Sequence, residues 1–270
     1  MPTRRIFLKS SGLAFVSFGL APQALVRSVY AAGGARRGKV MVVIFQRGAV
    51  DGLNTVIPYA DDVYRRLRPT IAIPAPRGGG RDAALDLDGR FGLHPALEPL
   101  LPAWRDGSLA VVHAVGSPDS TRSHFDAQDF MESGTPGVKS TDDGWMNRHL
   151  RCHPDAQATP FRGVAMTPTL PRSLAGPAPA VAMSDLRSFD LRAPAARGGG
   201  FEEMYDGLTR DVIHGAGREA FEAIQFLKRA RPEQYSPARG AVYPRGRYGE
   251  SLKQIAQLLK ADVGLEVAFT

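Results

Sequence analysis

The order of segments in this chain predicts a three-layer α/β domain, and three observations carry that expectation. Lys39-Val-Met-Val-Val-Ile-Phe45 is a continuous run of apolar β-formers, the pattern of a strand buried on both faces of a sheet covered by helices. Leu109-Ala-Val-Val-His-Ala-Val115 is a second such run, stopped by Gly116 and Pro118. Between and after them stand stretches whose apolar residues recur at helical spacing, so that strand, helix, strand, helix, helix, strand is the order along the chain.

Each element has its own local cause. After the first run, Gly48, Asp51, Gly52 and Asn54 supply a sharp turn and Pro58 ends it. From Pro95, a residue suited to a first helical turn, Leu97, Leu100, Leu101 and Trp104 fall at helical spacing. Ser123 to Met131 fits a helix, and a short one is expected to follow Asp143 as its N-cap, carrying Trp145 and Met146. Short strands are expected at Gly163 to Met166 and Ala180 to Met183, between Pro-rich and Gly-rich loops. The glycine triplets at 78–80 and 198–200 read as flexible surface insertions. Ile213, Ala216, Ala220, Phe221, Ile224 and Leu227 form one apolar stripe, and Leu252, Ile255, Ala256 and Leu259 another. Gly264 to Thr270 begins a last strand and stops at the sheet edge where such domains carry their chemistry, the expectation for a domain truncated at its C-terminus.

At 270 residues, 43% hydrophobic and 23% charged, the chain is long enough for a buried core and is neither fibrous nor wholly disordered. A single cysteine, Cys152, excludes an internal disulfide and a cysteine-rich zinc site, so a metal here would be held by His and carboxylates. The formal charge of +7 first suggests nucleic acid. The N-terminus changes that reading. Thr3-Arg-Arg-Ile-Phe-Leu-Lys9, an apolar run from Gly12 to Leu20, Pro22 and a small-residue exit at Val29-Tyr-Ala31 form a twin-arginine signal peptide over residues 1–31. Its apolar stretch is short for a hydrocarbon core of ~30 Å. Its removal takes away Arg4, Arg5, Lys9 and Arg27 and no acid, so the formal charge falls from +7 to +3 and the case for nucleic acid fades. The expected partner is therefore the twin-arginine translocase, with a periplasmic or secreted destination and no stable membrane span after cleavage. That route carries proteins already folded, often around a metal or cofactor.

Two clusters could carry chemistry. In Arg47-Gly-Ala-Val-Asp51-Gly-Leu-Asn54-Thr55, an aspartate after a strand, flanked by glycines that let backbone approach a ligand, could hold a divalent metal with Asn54 as a neutral oxygen donor. The same residues are those a tight turn prefers for its own hydrogen bonds. In Ser117-Pro-Asp-Ser-Thr-Arg122-Ser123-His124-Phe-Asp126-Ala-Gln-Asp129, a hydroxyl at a helix start meets free N–H groups that favour a phosphate or sulfate, and Arg122 could add a bidentate contact. There the competing reading makes Ser123 an N-cap with Asp126 completing a capping arrangement.

Other matches fail. Gly134 to Ser140 resembles a P-loop, but Val138 separates glycine from Lys139 and a helix precedes it. No Gly-x-Ser-x-Gly elbow occurs. His94 reads as a helix-start residue and His113 as a core histidine. His149 and His153 flank Cys152 without a carboxylate, and His214 carries no role.

The twin-arginine leader, Val42 to Asn54, Phe91-Gly-Leu-His-Pro95, Val112 to Pro118 and Arg122 to Asp129 together resemble the exported bacterial domain-of-unknown-function family 1501, over essentially the whole chain. That family resembles the alkaline phosphatase and sulfatase superfamily. The resemblance implies an alkaline-phosphatase-like sheet and residues 32–270 as the N-terminal portion of one domain. It also implies metal-assisted hydrolysis of a phosphate or sulfate ester, with a divalent metal (zinc, magnesium or calcium) on Asp51. The superfamily places a nucleophile ten residues before a helix-ending Thr-Gly or Ser-Gly; counting back from Gly134 lands on His124, with Ser123 one residue further. Family members continue into further Asp and His motifs absent from this chain, which implies an incomplete site without turnover. A non-catalytic periplasmic binding or assembly protein on the same fold is the alternative.

Overall fold

The computed structural model describes residues 16–17, 38–47, 50–77, 80–155, 159–188, 223–238 and 240–270. In chain order the strands are β1 (Val16–Ser17), β2 (Met41–Val43), β3 (Val56–Ile57), β4 (Leu85–Asp86), β5 (Gly92–Leu93), β6 (Gly163–Ala165), β7 (Ala180–Ala182) and β8 (Val267–Phe269). The helices are α1 (Gly52–Thr55), α2 (Asp62–Leu67), α3 (Leu101–Arg105), α4 (His124–Ser133), α5 (Trp145–Cys152), α6 (223–230) and α7 (Arg247–Lys260). The chain divides into two compact units, Met1–Phe45 with Ser117–Thr270, and Gln46–Gly116.

The first unit is α/β. Its sheet runs β1-β7-β6-β8-β2, with β7, β6, β8 and β2 parallel and β1 antiparallel on the outer side of β7. Successive strand residues point to opposite faces, so each apolar strand feeds two cores. Val164, Val181 and Ala268 join Ile224 and Leu227 of α6 and Ile255 and Leu258 of α7 on one face. Ala165, Ala182, Val267 and Phe269 join Met146 and Leu150 of α5 and Leu174 on the other. Helix, sheet and helix therefore stack as three layers. Gly163 has no side chain because α5 and β7 come so near: a Cβ there would stand 3.0 Å from Leu150 Cδ1 and 3.2 Å from Ala180 Cβ.

The second unit is a three-stranded antiparallel sheet, β3-β5-β4, with Ile57, Tyr64 and Ala84 at its core and Tyr59, Ala72 and Ile73 packed against them. The helical spacing after Pro95 resolves into a 3-10 segment, Pro95–Leu100, that runs into α3. His94 starts it as expected, its Nδ1 accepting from Ala96 N at 3.1 Å. Trp104 anchors the segment by donating from Nε1 to Leu87 O at 3.1 Å.

Several expectations are corrected. The apolar run at 39–45 is not buried on both faces: β2 is the last strand of its sheet, and Val42 and Ile44 are exposed. Residues 109–115 form no strand. Val112 and Val115 are 76% and 67% exposed and Ala114 has φ 52°, so the extended run is broken and finds no ladder partner among the described residues. His113 is exposed rather than a core residue, its ring stacked on Phe91 at 4.2 Å. Asp143 does not cap α5; Gly144 takes that position, and Asp143 pairs instead with Arg148 at 2.8 Å and Arg151 at 3.0 Å. The buried face of α7 runs through Ser251, Gln254, Ile255 and Leu258, rotated from the expected stripe so that Leu259 is exposed. Of the preceding stripe, Ile224 and Leu227 are buried in α6, while Ile213, Ala216, Ala220 and Phe221 lie outside the described residues, as do the triplet at 198–200 and His214.

Candidate functional site

The two clusters singled out in the sequence fall in different units, and each is built by local structure. In the Gln46–Gly116 unit, Asp51 N-caps α1: Oδ1 accepts from Leu53 N at 3.1 Å, the arrangement that satisfies a free N–H of a first turn. The other carboxylate oxygen takes the Arg68 guanidinium at 2.5 Å. That hydrogen bond and charge hold the Asp51 carboxyl below its usual range. Asn54 ties the turn to the segment that follows α2, its Nδ2 donating to Ile71 O at 2.9 Å and its Oδ1 accepting from Tyr64 Oη at 2.7 Å. Tyr64 Oη in turn accepts from Ile73 N at 2.8 Å. In this structure the two predicted metal ligands carry the turn's own hydrogen bonds, and Gly48 lies outside the described residues.

The sign of the pH dependence follows from Asp51. A carboxyl whose folded pKa is depressed contributes stability that is present above the unfolded value and lost as pH falls through the folded one. Asp51→Ala loses both the cap and the pairing and is expected to cost about 1 kcal/mol at neutral pH. Asp51→Asn keeps the cap. Its deficit against wild type, followed by urea unfolding, is expected above pH 4 and to vanish as the pH is taken well below the model-compound value of 3.8. A deficit unchanged at low pH would dismiss the Arg68 pairing as a source of stability.

In the other unit, Ser123 N-caps α4, its Oγ accepting from Asp126 N at 3.2 Å. Ser123 N donates to Thr121 Oγ1 at 3.1 Å, and Thr121 N to Asp119 Oδ1 at 2.8 Å, so a chain of short polar side chains fixes the approach to the helix. Asp126 pairs with Lys139 at 2.8 Å, which raises the Lys139 pKa, and Asp129 pairs with Arg172 at 3.1 Å. The helix ends at Gly134, whose φ of 66° is the left-handed turn glycine adopts most readily, and this explains the P-loop-like Gly134 without a phosphate. Arg122 and His124 stand exposed at the helix start, beside Phe125, which is 80% exposed. Arg122, Ser123 and His124 are thus neighbours at the α4 N-terminus. The Ser123 hydroxyl accepts one hydrogen bond there, and its proton has no acceptor among the described residues.

The sequence reading missed Arg68 and Tyr64, and it placed Lys139 only in a failed P-loop match rather than as the partner of Asp126. Asp61 before α2 marks the helix that bears Tyr64 and is followed by Arg68 as its C-cap, and it caps the start of that helix by accepting from Val63 N at 2.8 Å. Nothing local announces that Arg68 returns to pair with Asp51.

A divalent cation needs several convergent oxygen or nitrogen donors. Among the described residues no group of three or more His, Cys, Asp or Glu side chains stands close enough to hold a metal ion. Asp51 is engaged by Arg68, and Asn54 Oδ1 by Tyr64, so these two residues do not by themselves fit a metal. No helix among the described residues is long and apolar enough to cross a membrane. No family model matches the chain, and no match was found among curated proteins or solved structures.

Proposed function

We propose that this chain is an exported protein resembling metal-dependent phosphate and sulfate ester hydrolases, with Ser123, His124 and Arg122 toward the ester. The observation that carries the reading is the α4 N-terminus. A serine hydroxyl with an uncommitted proton stands there at the positive end of a ten-residue helix, flanked by an exposed arginine and an exposed histidine. Export rests on the Arg4-Arg5 leader and its translocase. A non-catalytic periplasmic binding or assembly protein is the second reading, favoured by the engagement of Asp51 and Asn54 in the turn's own bonds.

Two measurements test this. Fractionation of a bacterial host expressing the full chain is expected to find it in the periplasm, and in the cytoplasm when Arg4 and Arg5 are both changed to Lys; unaltered partition would remove export by this route. Elemental mass spectrometry of the purified chain and of a version extended through the further Asp and His motifs of the resembled family, with turnover of nitrophenyl phosphate and nitrophenyl sulfate, tests the chemistry. Stoichiometric zinc, magnesium or calcium in the extended version only, reduced in Asp51→Ala, with turnover there lost in Ser123→Ala, is expected of the hydrolase. Neither metal nor turnover leaves the binding protein.

A further inference from the structure

The carboxyl end of β7 leads through Met183, Ser184 and Asp185 into a 3-10 turn at Leu186–Ser188, and the N-terminus of α7 lies against that turn. Between them is a cavity of about 330 Å³ lined by Ser184, Asp185, Arg187, Arg247, Glu250 and Ser251, with Gln254 below them. Gln254 builds the base of the cavity. It is buried, its Oε1 accepts from Leu186 N at 2.8 Å, and its Nε2 donates to Glu250 Oε1 at 3.4 Å, so the turn and the helix are held at a fixed separation.

The charges around this cavity are unevenly satisfied. Asp185 Oδ1 accepts from Arg187 N at 3.0 Å, and Glu250 Oε2 stands 3.5 Å from Lys253 Nζ, so both carboxylates already have donors. Among the described residues, neither the Arg187 nor the Arg247 guanidinium has an ion-pair or hydrogen-bond partner. Ser251 is 5% exposed and lines the cavity, and its hydroxyl has no partner among the described residues either. The first turn of α7 has no side-chain cap, its N-cap being Gly246 with φ 112°. Two arginines and a buried serine, with donors that no described residue answers, thus line one cavity whose carboxylates already have donors.

We propose that this cavity binds a phosphate or sulfate group, with Arg187 and Arg247 pairing to its oxygens and Ser251 donating to a third. A carboxylate has two oxygens in one plane and leaves part of this donor set unused, whereas a tetrahedral oxyanion offers an acceptor in each direction. The volume lies at the lower end of small-molecule pockets, roughly 300–1,000 Å³, and leaves room for an organic substituent beside the anion. The site uses none of Asp51, Asn54, Arg122, Ser123 or His124, and it does not depend on the hydrolase reading.

Isothermal titration of the full chain with inorganic phosphate, inorganic sulfate, phenyl phosphate and acetate, at matched chloride, tests the proposal. Saturable one-to-one binding of phosphate and sulfate, with acetate at least about tenfold weaker, is expected, because acetate forgoes a charge-assisted hydrogen bond. The double variant Arg187→Gln with Arg247→Gln is expected to weaken phosphate at least about tenfold for the same reason. Both arginines are exposed, and an unchanged far-ultraviolet circular dichroism spectrum shows that this variant folds. Ser251→Ala is expected to weaken binding less, and Arg81→Gln, an exposed arginine of the other unit, not at all. Tighter binding of phenyl phosphate than of inorganic phosphate assigns the cavity to an ester, and equal binding to the free ion. Absent saturation, acetate binding as tight as phosphate, or undiminished phosphate binding in the double arginine variant would overturn the proposal. Ser123→Ala separates this site from the hydrolase reading. Phosphate binding retained in that variant while turnover is lost keeps both, and phosphate binding lost there but kept in the arginine variant moves the anion to α4 and overturns the cavity.

Discussion

Asn147→Leu is expected to destabilise the α/β unit by about 3–5 kcal/mol, because it leaves buried backbone groups of another segment without partners. Asn147 is fully buried in α5. Its Nδ2 donates to Leu174 O and to Ala178 O, both at 2.9 Å, and its Oδ1 accepts from Ala178 N at 3.0 Å. These bonds fasten the loop that precedes β7 onto the helix that covers the sheet. The loop follows the amide closely: at Gly176, where φ is 145°, a Cβ would collide with Asn147 Oδ1. Leucine is close to asparagine in size and adds apolar contact, yet neither Leu174 nor Ala178 has water to replace what is lost. Each orphaned group costs about 1–3 kcal/mol, a large share of a total stability of about 5–15 kcal/mol. Met146→Leu, a volume-conserving change at the neighbouring buried position, is expected to cost less than about 1.5 kcal/mol and serves as the control. Urea unfolding measures both. An Asn147→Leu loss no larger than the control's would show that the loop holds its place without the amide.

The strands that were legible in the sequence are those whose local pattern and final surroundings agree. Gly163 to Met166 and Ala180 to Met183 are short apolar runs closed off by glycine and proline, and they became interior strands with neighbours on both sides. The run at 39–45 shows where the inference weakens: a continuous apolar pattern says that a strand can be buried on both faces, but burial is supplied by its neighbours. Among the described residues β2 has one strand neighbour, and Val42 and Ile44 are exposed. At 109–115 the same kind of pattern meets no pairing strand among the described residues, and a ladder cannot form on one side only. On α7, helical spacing identified the element but not its rotation, because Ser251 and Gln254 are buried as polar residues and an apolar stripe does not count them.

The candidate sites were legible to a similar depth. A cap or turn is written within a few residues, so Ser123 with Asp126 and His94 with Ala96 follow from local sequence. The partners that decide what those residues do lie further along the chain. Arg68 reaches Asp51 across 17 positions, Tyr64 reaches Asn54 across 10 and Lys139 reaches Asp126 across 13. Spacing in one sequence carries no signal for such pairs. The cavity between β7 and α7 is a more distant case, joining Leu186 to Gln254 across 68 positions, and neither segment alone has a motif that marks it.

Arg162→Met is the second change expected to have a large effect, at about 2–3 kcal/mol. Helices leave their last carbonyls without intrahelical donors, and any that are shielded from water must find them elsewhere. α5 ends against β6, and Arg162, 4% exposed, supplies them: Nη1 donates to Leu150 O at 2.7 Å and Nη2 to His153 O. Its Nε stands 2.8 Å from Glu266 Oε1, and its backbone carbonyl accepts from Glu266 N at 2.9 Å and Val267 N at 3.0 Å. One residue thus closes a helix, neutralises a carboxylate and joins β6 to β8. Methionine fills much of the same volume but answers none of these groups. The Glu266 side chain is 32% exposed and His153 is exposed, so both can turn to water, and most of the cost falls on the buried Leu150 carbonyl rather than on the charge pair. Glu266→Gln is accordingly expected to cost less than about 1 kcal/mol. Arg162→Lys, which keeps the charge but has no planar fork to reach two carbonyls and a carboxylate together, should recover only part of the loss. Thermal unfolding of the three variants decides the matter. A Glu266→Gln loss as large as that of Arg162→Met would place the stabilisation in the ion pair and overturn the assignment of Arg162 as the cap of α5.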